Sequence, residues 1–196
     1  MSRTRSLFPR ISAIGRPLLP ARRSFALDTA RSVSSLVLAI AGALLLVVAP
    51  AQARDSLGIY STWGAFRDPA VPRCYAVAMA APSAKRRDYQ PYAAIGIWPR
   101  RAVRGQVHFR LSRKLAQGGR ISLSIGGRRF QLTGGGGDAW ATDKAMDAAI
   151  VSAMRSAASM TVSARDERGS GFSSTWELAG AASAMDAAAI GCARLR

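Results

Sequence analysis

The sequence predicts an α+β fold: mainly an antiparallel β sheet or open sandwich of about seven strands, with two helices in the C-terminal half. Three observations carry that expectation. From Gln106 to Ser112, apolar Val107, Phe109 and Leu111 alternate with polar Gln106, His108 and Arg110, the period of two of a strand with one face buried. The runs Ile121 to Ile125 and Arg129 to Leu132 are joined through Gly126 and Gly127, which accept the positive φ angles of a tight primed hairpin turn. Met146, Ala149, Ile150, Ala153 and Met154 recur at helical spacing behind Thr142 and Asp143, either of which can cap the helix.

The remaining elements follow in order. Gly58 to Asp68 is aromatic-rich and ends at Pro69 and Pro72, which predicts one strand and a turn, with Trp63 and Phe66 in the core. Cys74 to Ala80 and Tyr92 to Trp98 read as short strands closed by Pro82 and Pro99, with a basic loop between them. Thr133 to Ala141, with its four consecutive glycines and Trp140, reads as a flexible connection. Two half-buried strands are expected near Met160 to Ala164 and Phe172 to Leu178. A final alanine-rich helix follows, with Met185, Ala189 and Cys192 on one face.

The N-terminus is organised differently. Seven arginines against Asp28 precede an uncharged segment from Ser32 to Ala53, which has an apolar core and closes on Pro50 and Ala51-Gln52-Ala53. That is the order of a cleaved secretory signal, and the apolar run is shorter than the roughly 20 residues a membrane-spanning helix needs. Residues 1–53 are therefore expected to be a signal peptide and residues 54–196 a single domain, periplasmic or secreted, with no membrane span after cleavage. Arg22-Arg23 resembles a twin-arginine signal.

The part after residue 53 carries 21 Lys and Arg against 10 Asp and Glu, and the excess is concentrated. Twelve basic residues and one acid, Asp88, fall between Lys85 and Arg129; outside that window the charges balance. The two cysteines, Cys74 and Cys192, suit an oxidising compartment and predict one disulfide closing a long loop.

Catalytic constellations are sparse, and the chain is read as non-enzymatic, without cofactor or metal site. His108, the only histidine, lies on the polar face of its strand and reads as an exposed surface residue. Asp166 and Glu167 read as a solvated charged loop, and no Gly-x-Ser-x-Gly elbow occurs. Gly134 to Gly137 lacks the Lys-Ser or Lys-Thr of a phosphate-binding loop.

Taken together, Trp63-Gly-Ala-Phe66, Arg73-Cys74-Tyr-Ala-Val77, the glycine-turned hairpin, Asp147-Ala-Ala-Ile150 and the closing strand and helix from Phe172 to Cys192 resemble the invasion-associated locus B family. The likeness spans most of residues 58–193. It implies an exported bacterial envelope protein with a β-rich domain, and it supplies no active-site residues.

Function is expected in the basic window. Lys85, Arg86, Arg87, Arg100, Arg101, Arg104, Arg110, Arg128 and Arg129 fall at strand ends or on polar faces, and antiparallel pairing is expected to gather them into one anion-binding patch. Tyr89, Tyr92 and Trp98 share the window and suit stacking on sugars or bases, with core packing the expected use of Trp98. The partner this implies is an anionic envelope component: lipopolysaccharide phosphate, acidic lipid or polysaccharide, with no specific nucleic acid. The alternative is a periplasmic protein-binding module, an inhibitor or assembly partner working through exposed strand edges.

Overall fold

The computed structural model describes residues 54–193, so the expected signal peptide lies outside the described residues. Ten strands form one antiparallel sheet: β1 Asp55–Tyr60, β2 Trp63–Asp68, β3 Arg73–Met79, β4 Tyr92–Trp98, β5 Val103–Arg110, β6 Ile121–Ile125, β7 Arg128–Gly135, β8 Asp138–Trp140, β9 Ser159–Arg165 and β10 Gly171–Glu177. Their order across the sheet is β1-β2-β3-β4-β5-β8-β7-β6-β9-β10. Two helices, α1 Lys144–Met154 and α2 Ala181–Ala193, lie in the C-terminal half.

The expectation of about seven strands is corrected to ten for two reasons. Gly58 to Asp68 is no single strand: β1 and β2 form a hairpin turned at Ser61 and Thr62, with Ser61 at φ 54°. Neither glycine nor proline marks that turn, so the sequence pattern runs straight through it. The glycine stretch is the second reason. β7 continues to Gly135, and a turn at Gly136 (φ 62°) returns the chain as β8. At Gly134 a Cβ would collide with the Asp138 carbonyl oxygen, and at Gly137 with the Tyr89 ring. The glycines permit close backbone approach rather than flexibility.

The sheet curls so that its ends meet across one core. Trp63 Nε1 donates to the Glu177 carbonyl at 2.8 Å, Ala81 N donates to the Thr175 carbonyl at 2.8 Å, and the Phe109 and Trp176 rings lie 5.4 Å apart. Pairing register assigns each strand one inward row: Trp63 and Ala65, Cys74, Ala76 and Ala78, Ala93 and Ile95, Val107 and Phe109. The second half of the sheet contributes Leu123, Phe130, Met160, Val162 and Phe172. Phe66, expected in the core, falls on the opposite face and is half-buried, stacked 5.6 Å from Tyr75.

Helix α2 covers β1 to β4. Its buried face is Ala181, Ala184, Met185, Ala188 and Cys192; Ala189, expected there, is exposed. Alanines on both helix and sheet bring their backbones close, and the disulfide Cys74–Cys192 joins the two surfaces across 118 residues. Helix α1 buries Ile150, Ala153 and Met154, and Asp143 caps it by accepting from Met146 N at 2.8 Å.

β8 spans only three residues, so β5 is paired on that side only at its upper end, from His108 to Arg110. Helix α1 packs against the uncovered remainder of β5, where the Asp147 carboxylate accepts from Val107 N at 2.8 Å. Burial pushes the Asp147 carboxyl up from its ordinary value, outweighing that hydrogen bond.

Two predictions follow from this packing. Reduction, or joint Cys74→Ser and Cys192→Ser substitution, is expected to lower the unfolding free energy by about 3 to 5 kcal/mol, seen as a lower urea midpoint. Because Asp147 binds its proton more tightly when folded, its contribution is most favourable at low pH and is lost as pH rises through the raised value. Asp147→Asn keeps an acceptor for Val107 N and removes the charge. The difference in Tm between variant and parent should therefore shift in the variant's favour between about pH 3 and pH 7, measured by thermal unfolding.

Candidate functional site

The outward face of β4, β5 and β8 carries aromatic and charged side chains in facing positions. The register sets Tyr92 opposite Arg110, His108 opposite Trp140 and Arg110 opposite Asp138. The His108 ring stacks on Trp140 at 5.2 Å and meets the edge of Tyr92 at 5.5 Å. Asp138 holds this group together: one carboxylate oxygen lies 3.0 Å from His108 Nε2 and the other accepts from the Arg110 guanidinium. The guanidinium also lies over the Tyr89 ring, 3.8 Å from its centroid.

Two expectations are corrected here. His108 is an integral member of this cluster, with its side chain 25% exposed, and not a solvated surface residue. Arg110 is held by Asp138 and Tyr89, so its charge is compensated. The signal for Asp138 was hidden, because the residue sits inside the glycine stretch and its role depends on β8 pairing.

The nine expected anion-binding residues do not form one patch. β5 and β7 run in the same direction, both antiparallel to β8. Arg104 and the pair Arg128 and Arg129 lie at their starts, with Arg100 and Arg101 in the 3-10 turn beside the start of β5. Lys85, Arg86 and Arg87 belong to the loop between β3 and β4, at the far end where Tyr92 faces Arg110. Strands of this length separate the two groups by roughly 23 Å. Successive turns of an antiparallel meander alternate between sheet ends, and the Lys85 and Arg100 runs fell on successive turns.

A different cationic group forms at the upper end. On the outward face Trp140 faces Thr133, Gln131 faces Ser122, and Ser122 faces Ser163, which in turn faces Ser173. Arg120 lies just beyond the Ile121–Leu132 pair, and Arg165 at the end of β9, where its carbonyl accepts from Ala116 N at 3.0 Å. Lys85 reaches the same place from its loop, which the Ala81–Thr175 hydrogen bond ties to β10. Lys85, Arg120 and Arg165, with the Ser122, Ser163 and Ser173 side chains and a floor of Ala164 and Phe172, line an open groove of about 460 Å³. No carboxylate lines it. Among the described residues Lys85 and Arg120 make no ion pair, and Arg165 donates only to the Gly169 carbonyl, at 2.7 Å. Arg120 is not among the nine expected anion-binding residues and Arg165 lies outside the basic window; neither belongs to a charged run pointing at the other.

The neighbouring cleft, about 220 Å³, is charge-compensated. Arg86, Arg113, Lys114 and Arg168 share it with Asp88, Asp166 and Glu167. Asp166, expected in a solvated loop, is buried: it pairs with Arg113 at 2.9 Å, and its other oxygen accepts from Arg168 N and Ser170 N. Lys114 pairs with Glu167 at 2.6 Å, and that hydrogen bond raises the Lys114 pKa. Such internal pairing makes this cleft a clasp between the β5–β6 and β9–β10 connections.

Among the described residues there is no group of three or more His, Cys, Asp and Glu placed to hold a metal ion, and no helix long and apolar enough to cross a membrane. No protein-family model matches the chain, and no curated protein or solved structure is significantly similar to it.

Asp138→Ala leaves Arg110 and His108 without their shared acceptor. It is expected to cost about 1 to 3 kcal/mol of stability and to alter Trp140 fluorescence, with both changes smaller in Asp138→Asn; equilibrium unfolding followed by tryptophan emission checks this.

Proposed function

We propose that this protein is an exported, non-catalytic envelope accessory protein that binds an anionic component of the envelope through the upper-end groove of Lys85, Arg120 and Arg165. One observation carries the reading. Arg120 and Arg165 line the same groove just beyond the β6–β9 ladder, with Lys85 beside them and no carboxylate in the groove. Gathered like charges repel one another, and a bound phosphate, sulfate or carboxylate would offset that repulsion while accepting bidentate guanidinium hydrogen bonds. The hydroxyls of Ser122, Ser163 and Ser173 add neutral donors around the same space. The disulfide and the signal-like N-terminus favour an oxidising compartment, and the resemblance to the invasion-associated locus B family agrees with an envelope location.

A second reading, a protein-binding module, is favoured by β1, an edge strand of the sheet on which Ile59 is 67% exposed.

The two readings separate by charge reversal. Joint Lys85→Glu, Arg120→Glu and Arg165→Glu is expected to weaken binding of a fluorescent heparin-derived hexasaccharide about tenfold or more, and the parent's affinity should fall steeply with salt. Reversing Arg100, Arg101 and Arg128 makes the same change in net charge at the opposite end and should have a much smaller effect. Equal losses from both triple variants would mean that overall charge, and not the groove, holds the ligand.

A further inference from the structure

The cation groove and the aromatic cluster belong to one surface, and the register shows how they connect. Trp140 on β8 faces Thr133 on β7, whose neighbour Leu132 faces Ile121 on β6; Arg120 directly precedes Ile121 and shares its groove with Arg165. Adjacent strands stand about 4.8 Å apart, so two strand steps set the backbones of Trp140 and Arg120 about 10 Å apart. That distance matches the step from one ring of a short oligosaccharide to a charged substituent on its neighbour. Trp140 is 36% exposed although it is a large aromatic, and its ring is braced from behind by His108, which is itself fixed by Asp138 and Tyr92.

We infer that the outward face from Trp140 to Arg165 is an anionic-carbohydrate site, in which one sugar ring stacks on the Trp140 indole and the acidic group of the adjoining sugar enters the groove of Lys85, Arg120 and Arg165. The inference rests on the proposed anion-binding groove and narrows its ligand class. Three features support it. An exposed aromatic face held by stacking gives a flat apolar platform at little entropic cost. The space between platform and cations is floored by the short hydroxyl residues Thr133 and Ser122, which exchange hydrogen bonds with sugar hydroxyls. The free cations lie at one end of the platform, which suits a ligand with localised charge. A single-stranded nucleic acid asks instead for cations tracking a continuous phosphate backbone and several successive aromatic platforms; here the cations next to the aromatic cluster are taken, Arg110 by Asp138 and Lys114 by Glu167.

The test titrates the oxidised protein with four probes, hexagalacturonate, a heparin-derived hexasaccharide, maltohexaose and a thymidine dodecanucleotide, following tryptophan emission and calorimetric heat. Of the other tryptophans, Trp63 and Trp176 are fully buried and Trp98 is partly buried. At least one acidic oligosaccharide should bind more tightly than the dodecanucleotide, with a change in emission that Trp140→Ala removes while affinity falls about tenfold. Trp140→Phe should restore most of the affinity, and maltohexaose should bind at least tenfold more weakly than the acidic sugars. Circular dichroism and the urea midpoint confirm that each variant is folded. If acidic sugars bind, are lost on reversal of Lys85, Arg120 and Arg165, and are untouched by Trp140→Ala, the stacking site is overturned while the anion groove stands. Tighter binding of the dodecanucleotide overturns the carbohydrate assignment. Binding of no probe overturns both.

Discussion

The outward surface depends on a strand of three residues. β8 is bonded to β5 on one edge and to β7 on the other, and it joins the aromatic half of the sheet to the hydroxyl-rich half. Its register brings Asp138 to Arg110 and His108, turns Trp140 outward against His108, and aligns Trp140 with Thr133. The turn before it requires residues that approach the backbone and the Tyr89 ring without a Cβ in the way. Because β8 is short, it also leaves part of β5 unpaired, and α1 covers that part through Asp147. One local constraint thus organises both the candidate site and the placement of a helix.

The two faces of the sheet are built on different chemistry. Inward rows of alanine on β2, β3 and β4 accept the alanine face of α2 at short range, and the disulfide secures that contact. Large rings displaced from this narrow interface lie partly on the other side, where Phe66, Tyr75, Trp98, Tyr92 and Trp140 are half-buried or exposed. An aromatic outward face on one half of the sheet and a serine and threonine face on the other are the consequence. Their meeting line at β7 is where the carbohydrate site is placed.

Much of the scaffold could be seen in local pattern. The alternation in β5 and the Gly126-Gly127 hairpin, with φ of 51° and 82° at the two glycines, obey short-range rules of backbone geometry. So do the Asp143 cap and the apolar stripe of α1. Elements whose signal was non-local were misread: the β1–β2 turn lacks a turn residue, and the glycine stretch became structured only because β5 and Tyr89 stand against it. The acid Asp166 looked solvated because Arg113, its partner, is remote in sequence.

By itself the sequence determined strand periodicity, the start and apolar stripe of α1, the cysteine pair and the surplus of positive charge, since each follows from residues within a few positions of one another or from composition. Which charges are neighbours was decided only in three dimensions. Antiparallel connections sent Lys85 to Arg87 and Arg100 to Arg104 to opposite ends of the sheet, while pairing of β6 with β9 brought Arg120 beside Arg165 across 45 residues. Coulombic proximity depends on strand order and register, and these are set by core packing rather than by distance along the chain.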